Sequence, residues 1–400
     1  MQRKSFILIL LLSLSIIACK KQSTDTNTNI TIGGLLSLTG NWSSLGLASQ
    51  EAMNIAIKDI NSYMIQTGSS YRFSTFIYDT KLDTLVAQSA VKNALSKNIH
   101  AIVGPQSSAE LSAIRNFANT NKILVVSQGS TASSLAIAGD AIYRFCPGDS
   151  VEGNAMAQTI YSSGIRHLIT LSRSDIGNTG LQSSVGLSFS GLGGSVDAIT
   201  PYSQNMNDFS SILAILKGKM QQWLQNSGAA PMGIYLASFD ECVALFVQTS
   251  ADPVFSSVRW FGGDGVVFSN ALISNSVASS FALKTQFFVP NFGLPQQINP
   301  NLAAIIAAIK SKTGIDPDAY ALSVYDAMWV IALTESSFPK LPTEFSTLKS
   351  VFQSEADHYY GITGPVILNT AGDRSVGSFD YWGIVNQGGT YQWKLAGRSQ

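Results

Sequence analysis

The chain has 400 residues, with 25 Lys and Arg balancing 25 Asp and Glu, 45% hydrophobic and 12% charged. That length allows about two to three domains with a sizeable core in each, and zero net charge removes the clustered basic surface through which nucleic-acid binders neutralise phosphate. The charged share is about half the ~25% usual in soluble domains, so solubility rests on Ser, Thr, Asn and Gln, a surface suited to an extracytoplasmic protein.

Arg3 and Lys4 make a basic start, Phe6 to Ile17 an apolar run too short for the ~20 residues of a spanning helix, and Ala18-Cys19 follow. This predicts a secretory signal over residues 1–18. A branched residue, a small residue and then Cys resemble the lipobox of bacterial lipoproteins, which implies that Cys19 is lipidated and holds the protein on the cell envelope, facing the periplasm or exterior. The alternative is an ordinary signal or short membrane anchor with an incidental Cys. Residues 19–29, polar and without periodicity, read as a tether. Two further cysteines remain, Cys146 and Cys242, and both a disulfide and two buried thiols stay open. His100, His167 and His358 are scattered, so no metal site is expected.

The mature chain alternates short apolar runs with helical periods. Ile30 to Leu36 reads as a strand, Met53, Ile57, Ile60 and Met64 as one helix face, Tyr71 to Tyr78 as a strand, and Ala87 to Ala94 as a helix. Ala101 to Gly104 and Ile123 to Val126 are strands around a helix over Ser107 to Asn119. Such repeated β-α-β predicts a parallel sheet with helices on both faces. A second unit follows, with strands at His167–Leu171, Ser195–Thr200, Met232–Leu236, Val258–Phe261 and Thr285–Val289, and a helix carrying Phe209, Leu213, Leu216 and Met220 behind Asp208. The last hundred residues give two helical faces, around Leu302–Ile309 and Ala321–Ala332. They then give strands at Val366–Leu368, Asp380–Val385 and Tyr391–Leu395.

Ser107-Ser108 follow one strand and open a helix, so hydroxyls and free N–H groups converge as in a carboxylate site. Ser130-Thr131 follow the next strand in the same way, with Gly129 permitting close backbone approach. Helix capping is the alternative for the Ser pair. No GxSxG elbow, phosphate loop, SxxK in context or diagnostic carboxylate pair is present, and Gly191-Leu192-Gly193-Gly194 fails the dinucleotide fingerprint, so neither catalysis nor a cofactor is expected.

Gly33 to Gly40, Tyr78-Asp79, Gly104-Pro105-Gln106-Ser107-Ser108, Val126 to Thr131, Tyr143-Arg144-Phe145, Phe261 to Gly265, Ala319-Tyr320-Ala321 and Gly372-Asp373-Arg374 come in family order. In these motifs the chain resembles the type I periplasmic substrate-binding proteins of the leucine/isoleucine/valine-binding family. The resemblance implies two α/β lobes joined by three crossings, with residues 30–146 and 290–377 in the first lobe and 147–289 and 378–400 in the second. It implies a ligand in the cleft between them, held by Ser108, Gly129 and Thr131, with Asp264 completing an ammonium site. A turn role is the alternative for Asp264. Leu45, Ile176 and Phe239 match positions where the family often lines the cleft with aromatic residues, with Trp42 nearby and able to swing in; this apolar set favours an aliphatic or aromatic ligand, and packing is the alternative for each aromatic. The implied function is a monomeric receptor that delivers an amino acid or similar zwitterion to an ABC permease. A regulator of cell-wall synthesis or a signalling receptor working through protein contacts is the alternative.

Overall fold

The computed structural model describes residues 27–226, 231–294, 299–339, 344–375 and 377–399. The expected signal, Cys19 and most of the tether lie outside the described residues.

Strands β1 (Thr28–Leu36), β2 (Tyr71–Asp79), β3 (Ala101–Val103), β4 (Leu124–Ser127) and β5 (Ile142–Arg144) form an all-parallel sheet in the order β2-β1-β3-β4-β5. Helices α1 (Ser43–Gln66), α2 (Thr84–Ser96) and α3 (Ser108–Thr120) make crossovers in it. β3 and β4 are buried along their whole length, as strands covered on both faces should be. Thr28 and Asn29, expected in the tether, pair with Tyr71 and Arg72. Backbone bonding holds these exposed polar residues, so hydropathy could not mark them.

The second sheet contains β6 (His167–Ser172), β7 (Ser195–Ala198), β8 (Met232–Ala237), β9 (Arg259–Gly262) and β10 (Phe288–Phe292). Its helices are α4 (Asp149–Ser162), α5 (Ile176–Gly191), α6 (Ser210–Asn226), α7 (Cys242–Thr249), α8 (Asn270–Ser274) and α9 (Ser276–Lys284). The chain then returns to the first lobe as α10 (Leu302–Thr313), α11 (Ala319–Ser336), α12 (Phe345–His358) and the small pair β11 (Tyr360–Gly361) and β12 (Gly364–Pro365). α10 and α11 pack on α1. Finally β13 (Phe379–Gln387) and β14 (Thr390–Arg398) close the second sheet antiparallel, giving the order β14-β13-β10-β9-β8-β6-β7. The chain thus passes between the sheets three times, after β5, after β10 and before β13.

Two expected strands need correction. The strand expected at Thr285–Val289 starts only at Phe288, because Thr285 ends α9, its Oγ1 donating to the Phe281 carbonyl at 2.9 Å. β10 therefore carries Pro290, Asn291 and Phe292 in the second sheet, where the first lobe was expected to resume. Val366–Leu368 forms no strand, only a single bridge from Leu368 to Arg374. Cys146 and Cys242 are both free and buried, in separate apolar clusters. Among the described residues no helix is long and apolar enough to cross a membrane.

Candidate functional site

The carboxyl ends of β3 and β4 bring two polar loops together. Ser107 caps α3: its Oγ accepts the Glu110 N–H at 3.3 Å and donates to Glu110 Oε2 at 2.5 Å, a reciprocal capping arrangement that turns it away from the cleft. Ser108 instead faces the second loop, its Oγ accepting from Ser130 Oγ at 3.0 Å and from the Ala132 N–H at 3.2 Å. Those two bonds use acceptor positions and leave the Ser108 proton to donate. Gly129 lies so close to the first loop that a Cβ there would sit 2.9 Å from the Gln106 carbonyl oxygen. Arg144 holds the second loop from below through the Ser130 and Ala132 carbonyls, at 3.2 and 2.7 Å, and is itself clamped by Asp373 at 2.5 and 2.7 Å.

The second lobe covers these loops. Asp175 caps α5, accepting from the Gly177 and Asn178 N–H groups at 3.1 and 3.0 Å, and pairs with Arg173 at 3.0 Å. Phe239 stacks on Trp42, with ring centroids 4.5 Å apart and planes 24° from parallel. Trp42 has a left-handed backbone (φ 62°), unusual for a large residue. It is fixed from both lobes: its N–H donates to Asp240 Oδ2 at 3.0 Å and its carbonyl accepts Gln106 Nε2 at 2.9 Å. Asn41 Nδ2 to Glu241 (3.3 Å) and the Asn270 N–H to Ser44 Oγ (3.2 Å) add two more bonds between lobes, so the cleft is closed.

Inside is a cavity of about 20 Å³ lined by Trp42, Ser108, Gly129, Thr131, Asp175, Gly177, Asn178, Leu181, Phe239 and Asp264. That is room for about one water. Six of the expected residues meet there: Trp42, Ser108, Gly129, Thr131, Phe239 and Asp264. Ser107 and Ser130 stand behind the wall as cap and loop brace. Leu45 is buried beneath Gly129, and Ile176 packs on the first-lobe apolar cluster around Leu111 and Ile114. Asp175, Gly177, Asn178 and Leu181 escaped the sequence reading. An Asp before a helix reads as a cap, which Asp175 is, and only lobe closure brings that helix end to the cleft.

The charge in this region is acidic. Burial pushes the Asp264 carboxyl up to about 6 and Asp149 to about 7, and Glu152 well above the carboxylate range with neighbouring Asp264 and Asp149 adding to it. Among the described residues no group of three or more His, Cys, Asp or Glu is arranged to hold a metal ion.

The fold and the cleft are those of a type I periplasmic binding protein. The family model described as receptor family ligand binding region matches residues 48–387, and the chain belongs to that family. Over 392 residues the chain is 26% identical to an uncharacterized protein of Methanocaldococcus jannaschii, covering 94% of this chain and 91% of that one. Its fold is similar to the leucine-binding protein LivK of Thermotoga maritima (TM-score 0.72, 20% identity, 93% of this chain and 99% of that one). It is also similar to LivJ of Streptococcus pneumoniae in complex with isoleucine (TM-score 0.71, 17% identity, 92% and 100%). A third match is a Rhodopseudomonas palustris solute-binding protein in complex with benzoate (TM-score 0.71, 15% identity, 93% and 98%).

Proposed function

We propose that this protein is a lipid-anchored, extracytoplasmic receptor that captures an amino acid or similar small zwitterion between its lobes and delivers it to an ABC importer. One observation carries the ligand class: the Ser108 and Thr131 side chains of the first lobe and the Asp264 carboxyl of the second line one closed cavity. Hydroxyls and helix-start N–H groups suit a carboxylate, and a buried carboxylate without a cation suits an ammonium. The relatives crystallised with isoleucine and with benzoate mark two kinds of cargo. The acidic wall favours the one with an amine, since a benzoate would set its charge near Asp264 with no ammonium to offset it.

The cavity is far smaller than an aliphatic side chain. Trp42 occupies the space, and its indole must turn out to admit an amino acid. Ligand binding would then shift an open–closed equilibrium through bonds made only on closure. Calorimetric titration of the purified protein with L-amino acids, their amides and benzoate tests the reading. Affinity for one amine-bearing class, lost in Ser108→Ala and Asp264→Asn, is expected; affinity for benzoate alone, or binding indifferent to both substitutions, would contradict it.

A further inference from the structure

Beside the cavity three carboxyls are buried together: Asp149 and Glu152 on α4 and Asp264 after β9. Glu152 is 0% exposed, and its Oε1 accepts the Asp264 backbone N–H at 3.3 Å. Its Oε2, Asp264 Oδ2 and both Asp149 carboxyl oxygens accept no hydrogen bond of ordinary geometry from the protein. Tyr235, on β8 and also 0% exposed, has a hydroxyl without a partner beside the backbone that carries Asp264, 3.2 Å from where a Cβ on Gly263 would stand.

The other groups around Glu152 and Asp264 bring no free positive charge. They are Tyr320 and Asp318 at the start of α11, Tyr381 on β13, and Cys146 with Arg144 and Asp373 at the crossings. Arg144 is bound to Asp373 through two nitrogens. The Thr131 hydroxyl and Ser133 N–H beside Asp149 and the Tyr320 hydroxyl and Gly265 N–H beside Asp264 ease ionisation but bring no cation, and adjacent carboxyls cannot all ionise in so dry a place, so a proton or a cation must stand between them.

We propose, on the reading that the ligand carries an ammonium, that Glu152 is a second carboxyl of its site: in the empty cleft a proton on Glu152 is shared with Asp264, and the ammonium takes its place. The proton passes from Glu152 to bulk water as the cation enters, leaving the ammonium against Asp264, which lines the cavity, with the Glu152 carboxylate behind Asp264 and no other bond made or broken. Burial and the adjoining carboxyls, which hold Glu152 far above the carboxylate range, agree with this. Amine capture is then linked to proton release, and an amine-free acid cannot drive the exchange.

Infrared difference spectroscopy and calorimetry on the purified protein at pH 7 test it, with L-alanine and L-leucine as probes and benzoate as control. The wild type minus Glu152→Gln difference spectrum of the unliganded protein should show a protonated-carboxyl band, set apart from those of the other buried acids, that the wild type loses on adding the amino acid. Binding heats compared across buffers of different ionisation enthalpy should report release of about one proton per ligand in the wild type and none in Glu152→Gln. Should Glu152→Gln fail to fold, Asp264→Asn, which removes the other partner, supplies the band assignment. Absence of the band before ligand, or its persistence once an amino acid is bound, overturns the proposal. If the band is present but neither amino acid binds, the ammonium reading of the ligand fails and the exchange falls with it.

Discussion

Ser107 and Ser108 are adjacent and chemically identical, yet their surroundings assign them different work. Ser107 exchanges bonds with Glu110, a fully buried carboxyl, so Ser107→Ala should cost about 1 to 2 kcal/mol of stability in a denaturant titration while leaving ligand affinity nearly unchanged. Ser108→Ala should instead weaken ligand binding about tenfold or more, as expected for loss of a bond to a charged group, besides the stability cost of leaving the Ala132 N–H without its acceptor. Equal effects from the two would refute the division of roles. Trp42→Ala removes the ring that stacks on Phe239 and fills the cleft. The variant should therefore accept bulky amino acids in competition binding, whereas an unchanged preference would show that the indole does not limit cargo size.

At the scale of elements, the Arg144–Asp373 pair ties the ligand loop, the end of β5 and the last crossing into one unit. Asp373→Ala leaves a guanidinium that is 1% exposed without its carboxylate, and should lower stability by about 3 kcal/mol or more by denaturant titration. Asp240→Ala removes the acceptor of the Trp42 N–H and should favour the open form, seen as a larger radius of gyration and weaker binding. Much of this architecture was legible beforehand. Apolar strand runs, Met53 and Ile60 on one helix face, and the Ser-rich strand-to-helix loops are local signals, and they located Ser108, Gly129 and Thr131. What sequence could not show arises from contacts between distant segments. Thr28 is a strand residue only because Tyr71 pairs with it, Thr285 caps a helix instead of starting a strand, and Glu152 looks like any surface acid until β9 brings Asp264 against it.

For the whole molecule, buried acids set the response to pH. Burial raises Asp149, Asp318 and Glu335 to about 7 and Asp264 and Asp326 to about 6, against about 4 in an unfolded chain. Between about pH 4 and 7 the folded form therefore binds more protons, and its stability rises as pH falls. Lowering of the His167 pKa by burial acts in the opposite sense, but one imidazole is set against five carboxyls. Unliganded protein should unfold at a higher temperature at pH 5.5 than at pH 8; a flat or reversed profile would mean these acids are not buried as described. The central claim, capture of an amine-bearing solute in the closed cleft, meets its most direct test in thermal unfolding of the purified protein with and without L-amino acids, their amides, benzoate and nucleosides. A ligand specific to the folded state adds about 2.7 kcal/mol at a hundred times its dissociation constant. The account predicts a raised midpoint with one class of amine-bearing solute and none with benzoate. A rise with benzoate alone, or no rise with any of them in a protein that unfolds cooperatively, would contradict it.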